Sequence, residues 1–173
     1  DCDDCPPGSA CPGGASQPRS CRPGSSAPIP GMSECTPCAP GSFQPEGNAT
    51  LCVACTPGSY CADGSPTPLP CPAGTFTNAT NLTAASQCVA CPAGAACVLG
   101  SDAPTDCRLG TFAADPGLES CSICPAGSYA NSSGQTACVM CPPGFWCTSE
   151  LAIGCSQNTY NDRSGMSNQN DCK

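Results

Sequence analysis

Residues 38–61 read CAPGSFQPEGNATLCVACTPGSYC. Two phrases of the form C-x-x-G-x-aromatic open there, at Cys38 and at Cys55, and each is followed by a single closing cysteine, Cys52 and Cys61. Glycine straight after a cysteine and two variable residues predicts a tight turn with positive φ, where a Cβ is disfavoured. The same phrase opens at Cys5, Cys21, Cys71, Cys91, Cys107, Cys124, Cys141 and Cys155, with Gly in the third place everywhere except Asn158. Asn is the residue that most readily replaces Gly at positive φ, so the exception supports the turn. The fifth place is aromatic at Phe43, Tyr60, Phe76, Phe112, Tyr129, Trp146 and Tyr160, and is Ala10, Ser26 or Ala96 otherwise.

The closing cysteine comes six residues after the opening one in Cys5/Cys11, Cys55/Cys61, Cys91/Cys97 and Cys141/Cys147. It comes 14 or 17 residues later in Cys21/Cys35, Cys38/Cys52, Cys71/Cys88, Cys107/Cys121, Cys124/Cys138 and Cys155/Cys172. This order predicts ten disulfides between sequence neighbours, with an interlaced scheme such as Cys55–Cys71 as the alternative. Cys2 is left over, and by the same order its partner would lie outside the chain. The cysteines from 2 to 61 recur shifted by 86 residues, and Cys71 and Cys88 recur shifted by 84. The expected organisation is one ten-cysteine super-repeat at 1–87, a second at 88–171, and the start of a third at 172–173, as in a segment of a longer array.

Composition agrees with rings in place of a core. Of 173 residues, 21 are Cys, 21 Pro and 19 Gly, and only 18 are Leu, Ile, Val or Phe. So few large apolar residues would mark a disordered chain, whereas cysteine at this density marks a disulfide scaffold of the oxidising, extracellular compartment. A ring of about 15 residues contributes roughly 3 kcal/mol and the shorter rings less, so contacts between stacked units must supply the rest of the stability. The fold class expected is therefore a set of small disulfide-rich repeats, an elongated ladder of hairpin-like turns with little regular strand and essentially no helix. Two-residue joints such as Val53-Ala54 leave little room to bend, and residues 62–70, with Pro66, Pro68 and Pro70, read as extended and polyproline-like. The regular aromatic series reads as the packing spine, with Trp146 beside Phe145 as the place for a lateral contact.

Several functions are excluded or disfavoured. A net charge of −8 with five Lys and Arg cannot neutralise a nucleic acid backbone, and no apolar run in the segment is long enough to span a membrane. There is no His for a Ser–His or Cys–His pair, and the carboxylates are scattered, so no enzyme is expected and no catalytic residue or cofactor is assigned. Cys35, Cys38, Cys52 and Cys55 have zinc-like C-x2-C spacing, repeated at Cys121, Cys124, Cys138 and Cys141, but the intervening units fit no four-ligand set. Asp1, Asp3 and Asp4 are answered in the second copy by Gln87, Val89 and Ala90, which removes a repeated calcium site. No metal is expected. N-glycosylation sequons stand at Asn48, Asn78, Asn81 and Asn131, all within long rings, and these are the expected attachment points of covalent glycans. The Ala-Pro, Ser-Pro and Thr-Pro dipeptides at 27–28, 65–66, 67–68 and 103–104 leave hydroxyproline or O-linked sugar open beside unmodified turns.

The phrases CPAGTF (71–76), CPAGSY (124–129), CPPGFWC (141–147) and CTPGSYC (55–61) resemble the ephrin-receptor-like cysteine-rich repeat. They are more loosely similar to the cysteine-rich modules of tumour-necrosis-factor receptors, from which the chain departs in lacking adjacent Cys-Cys pairs. Arrays of such units also resemble mastigoneme proteins, the builders of flagellar hairs. That resemblance implies a structural segment of a secreted, glycosylated, disulfide-laddered protein forming a stiff extracellular rod or filament, by self-association or with other filament subunits. The alternative is the ectodomain stalk of a cell-surface receptor that binds a protein ligand.

Overall fold

The computed structural model describes residues 5–173, so Asp1, Cys2, Asp3 and Asp4 lie outside the described residues. Among the described residues, regular structure is confined to strands of two or three residues and two 3-10 turns, Ala85–Gln87 and Gln169–Asp171. The chain divides into two compact units. One holds the described residues up to Pro72 together with Thr77–Val89 and Gly100–Asp102, and the other holds Ala73–Phe76, Ala90–Leu99 and Ala103–Lys173.

In the first unit, antiparallel pairs join Ser9–Ala10 to Arg19–Ser20, Ser25–Ser26 to Thr36–Pro37, Ser42–Phe43 to Val53–Ala54, and Ser59–Tyr60 to Leu69–Pro70. In the second, they join Ala95–Ala96 to Thr105–Asp106, Thr111–Phe112 to Ser122–Ile123, Ser128–Tyr129 to Val139–Met140, and Phe145–Cys147 to Ala152–Gly154. Each hairpin begins just after a turn glycine and ends just before the next opening cysteine, so the expected two-residue joint is the return strand of a hairpin. Its residues are exposed, as at Val53–Ala54, Ser122–Ile123 and Val139–Met140.

The turn is the element that the sequence dictates most directly. Gly24, Gly41, Gly74 and Gly94 have φ of 83, 86, 82 and 84°, and Asn158 has 68°. Hydroxyls one residue after the turn position close it further. Ser25 Oγ donates to Arg22 O, Ser42 Oγ to Ala39 O, Ser128 Oγ to Pro125 O and Thr159 Oγ1 to Ser156 O, at 2.7–2.8 Å. Each of these carbonyls also accepts the backbone N–H of the same residue at 3.0–3.1 Å, so the hydroxyl adds a second bond to the turn.

The stretch 62–70 departs from the extended reading. It turns at residues 63–64, with Gly64 at φ 64°, bends at 66–67, and becomes strand only at Leu69–Pro70. The cause is a backbone bond, Gly64 N–H to Cys38 O at 2.8 Å, which draws the chain back to the preceding unit against the proline preference.

Candidate functional site

Among the described residues nine disulfides form the ladder. The long rings are closed by Cys21–Cys35, Cys38–Cys52, Cys71–Cys88, Cys107–Cys121, Cys124–Cys138 and Cys155–Cys172, and the short rings by Cys55–Cys61, Cys91–Cys97 and Cys141–Cys147. The two rings with a separation of 17 rather than 14 place the extra residues in the 3-10 turns just before Cys88 and Cys172. The zinc-like cysteine sets are divided among different disulfides, and among the described residues no group of three or more His, Cys, Asp or Glu converges on a metal position.

One expected bond is not formed. Cys5 is a buried thiol whose Sγ lies 3.6 Å from the carbonyl oxygens of Ser9 and Met32, so it is not joined to Cys11. The backbone there matches the closed short rings, with Gly8 at φ 84° and Cys11 N–H on Met32 O at 2.8 Å. Cys11 is only half-buried, whereas Cys61, Cys97 and Cys147 are enclosed. Cys2 lies outside the described residues.

Between the rings, the backbone stitches each repeat to the next. Every opening cysteine from Cys21 onward donates its N–H to the carbonyl of the preceding turn glycine at 2.8–2.9 Å, as in Cys38 to Gly24, Cys55 to Gly41 and Cys107 to Gly94. At eight of the nine turn glycines, Gly127 excepted, the N–H in turn donates to the residue six places after the next opening cysteine. Gly8 reaches Ala27 O, Gly41 reaches Cys61 O, Gly74 reaches Cys97 O and Gly110 reaches Ala130 O, at 2.8–2.9 Å. A third bond returns to the cysteine carbonyl from a residue in the following ring. Asn48 N–H donates to Cys21 O, Gly64 to Cys38 O, Asn81 to Cys55 O, Gly117 to Cys91 O and Gly134 to Cys107 O, at 2.8–3.1 Å. The polar backbone groups of cysteine and turn glycine are thereby paired, which permits both to be buried.

The donors of that third bond form a class of their own. Gly31, Asn48, Gly64, Asn81, Gly100, Gly117, Gly134 and Gly165 all have positive φ. Their carbonyls press on turn glycines two repeats upstream: a Cβ built on Gly24 would lie 2.1 Å from Gly64 O, on Gly58 2.3 Å from Gly100 O, and on Gly94 2.3 Å from Gly134 O. Backbone touches backbone at these points. The expected aromatic spine is only partly enclosed. Phe43, Tyr60, Phe76, Phe112, Tyr129 and Trp146 are half-buried flanking residues, and Tyr160 is 61% exposed. Phe76, for example, lies alongside a core of Cys91, Ala95 and Cys97.

The fully buried column is the position six residues after eight of the ten opening cysteines, Cys11 and Gln44 being half-buried at the same position. Ala27, Cys61, Thr77, Cys97, Ala113, Ala130, Cys147 and Asn161 occupy it, all at 8% exposure or less. The closing cysteine of a short ring is thus the sulfur-bearing version of a site that is Ala, Thr, Asn or Gln in a long ring. Asn161 uses its side chain for the same stitching, with Nδ2 donating to Phe145 O at 2.8 Å and Oδ1 accepting from Gly144 N–H at 3.2 Å. The signal for this column was present as a small or Cys residue at a fixed distance, though its chemical variety hides it from a search for apolar periodicity.

All four sequon asparagines are exposed. Asn48 and Asn81 occupy the positive-φ stitch position, at φ 59 and 63°, whereas Asn78 and Asn131 directly follow the buried residues Thr77 and Ala130. Asn48 Oδ1 accepts from Ser9 Oγ at 3.1 Å, and the Thr83 hydroxyl of the Asn81 sequon donates to Gln87 Oε1 at 3.1 Å. The open clefts are shallow. One, of about 460 Å³, is bordered by Tyr160, Asn161, Asp162, Arg163, Met166, Asp171 and Lys173.

Short paired turns, stacked backbone and neighbour disulfides define a cysteine-rich repeat domain of extracellular type. Residues 110–153 match the family model described as tyrosine-protein kinase ephrin type A/B receptor-like. The comparison with curated proteins found no match. No helix among the described residues is long and apolar enough to cross a membrane.

Proposed function

We propose that the chain is a structural segment of a secreted, glycosylated repeat protein that forms a stiff extracellular rod or filament. The observation that carries this reading is the stitching: the turns bond to the next repeat, and at Gly8, Gly24, Gly41, Gly58, Gly74, Gly94 and Gly127 they meet a backbone carbonyl of the repeat after it. Such coupling resists bending and local unfolding, because one repeat cannot tilt without stretching bonds to its neighbour. Intra-repeat disulfides add resistance to proteolysis, and exposed sequons at Asn48, Asn78, Asn81 and Asn131 give glycans that shield the loops. The unit of extension is the ten-cysteine super-repeat, 1–87 and 88–171. Lateral association, with copies of itself or other filament subunits, uses the exposed joint residues and the Phe145–Trp146 edge.

Recombinant chains of one, two and three super-repeats test the reading by small-angle scattering and electron microscopy. A maximum dimension that grows linearly with copy number supports a rod, and compact particles of unchanged width-to-length ratio refute it. The match of residues 110–153 favours a second reading, the ectodomain stalk of a receptor that binds a protein ligand. A membrane-spanning segment and a signalling domain in the full-length protein, with monomers only by electron microscopy, would decide for the stalk.

A further inference from the structure

The nine disulfides fall into two classes by access to solvent. In the short rings both sulfurs belong to enclosed residues: Cys55 and Cys61 are 0% exposed, Cys91 and Cys97 are 0 and 1%, and Cys141 and Cys147 are 0 and 2%. In the long rings the closing cysteines, Cys35, Cys52, Cys88, Cys121, Cys138 and Cys172, are all partly exposed. Their opening partners are buried, Cys21 at 2%, Cys38 and Cys107 at 1%, Cys71 at 0% and Cys124 at 5%, with Cys155 the half-exposed exception. The cause lies in the stitching, since an opening cysteine is bonded through its backbone to repeats on both sides, and the closing cysteine of a short ring fills the buried column. The closing cysteine of a long ring lies beyond that column, at the far end of its loop.

Thiol–disulfide exchange requires a thiolate to reach a sulfur in line with the S–S bond, so access governs which bond reacts and which sulfur is struck. We propose that the closing cysteines of the six long rings are acceptor sites for low-molecular-weight thiols, and that the three short rings are closed to them in the folded chain. The incoming thiolate bonds to the closing sulfur. The bond to the opening sulfur breaks, and that sulfur leaves with the electron pair and takes a proton from water. A second thiolate then attacks the external sulfur of the mixed disulfide, releasing the closing cysteine as a thiolate and leaving the small thiol as its own disulfide. The protein disulfide is reduced by two electrons and two small thiols are oxidised. The long loops, which carry all four sequons, are freed one at a time, while the short rings and the cysteine–glycine stitches stay in place.

The experiment uses the whole chain, oxidised and folded, treated with limiting reduced glutathione. Exposed thiols are alkylated with iodoacetamide, the remaining bonds are reduced and labelled with N-ethylmaleimide, and each cysteine is quantified by mass spectrometry. Long-ring pairs are expected to open at least about tenfold faster than short-ring pairs, because the latter need local unfolding first. Glutathione adducts are expected on Cys35, Cys52, Cys88, Cys121 and Cys138, and not on their opening partners. Equal rates for Cys55–Cys61 and Cys38–Cys52, or adducts on Cys21, Cys38 or Cys71, overturn the proposal. Repeating the reaction in guanidinium separates burial from ring size: the ordering must collapse there, and an ordering that survives denaturation also overturns it.

Discussion

Gly74 and Gly117 offer a matched pair for testing whether contact two repeats apart holds the ladder. Their φ angles are 82 and 81°, so replacement by Ala strains both backbones equally. A Cβ on Gly117 meets nothing within 4 Å, whereas a Cβ on Gly74 would lie 2.2 Å from Gly117 O and 2.9 Å from Gly117 C. For Gly117→Ala, the left-handed conformation costs about 1–2 kcal/mol. Reduced freedom of the unfolded chain offsets about 0.4–1 of this, leaving a net loss near 1 kcal/mol. Gly74→Ala adds the displacement of a backbone carbonyl by roughly 1 Å, an overpacking term of about 1–3 kcal/mol. The same displacement strains the bonds Gly74 N–H to Cys97 O and Cys91 N–H to Gly74 O, 2.8 and 2.9 Å long. The expected difference between the variants is therefore about 2 kcal/mol. Hydrogen exchange of the Cys91 amide reads both, because Cys91 donates to Gly74 and its carbonyl accepts from Gly117 N–H at 2.8 Å. With disulfides intact, that amide should exchange roughly thirtyfold faster in Gly74→Ala than in Gly117→Ala. Rates equal within about threefold would mean that φ strain alone governs these glycines and that repeats two apart do not support one another.

Non-reducing peptide mapping should recover Cys55 joined to Cys61 and Cys71 joined to Cys88, and a Cys55–Cys71 peptide would replace the neighbour scheme with an interlaced one. Asn161→Ala should cost about 1–2 kcal/mol, and Asn161→Asp more, because a carboxylate would face Phe145 O without a donor; Trp146 fluorescence during urea unfolding orders the two. Ser25→Ala should lose about 1 kcal/mol through the hydroxyl bond to Arg22 O, a shift in unfolding midpoint that Ser25→Thr largely restores. Expression in a secretory eukaryotic host should give a mass that falls on enzymatic removal of N-glycans, with Asn converted to Asp at the occupied sequons; an unchanged mass would leave the loops bare.

The turns and hairpin ladder were legible in the sequence because they rest on residues with sharp conformational demands. Positive φ at Asn158 followed from the Gly pattern, and the strand at Val53–Ala54 falls on the two-residue joint between Cys52 and Cys55. The buried column was not legible, because its requirement is smallness beside a carbonyl rather than hydrophobicity, and Ala27, Thr77, Cys97 and Asn161 meet it equally well. The aromatics are enclosed less fully than their regularity suggests. Their regular spacing is real, yet it reflects the hairpin period, and rings such as Phe112 and Tyr129 lie beside the column. At Cys5 the spacing alone could not distinguish a closed ring from a thiol set between two carbonyls. The bent course of 62–70 was missed because proline content outweighed Gly64, whose bond to Cys38 O decides the path.

The carbonyl-against-glycine contact at Gly24, Gly58 and Gly94 has a consequence for how such an array can change. Its spacing is a ruler graduated in peptide units, since the atoms that touch are those every residue possesses. Loops can lengthen, as from a separation of 14 to one of 17 positions between paired cysteines, while the graduation stays fixed. Surface chemistry can accordingly be rewritten one repeat at a time, acidic here, glycan-bearing there, on a scale whose marks do not move.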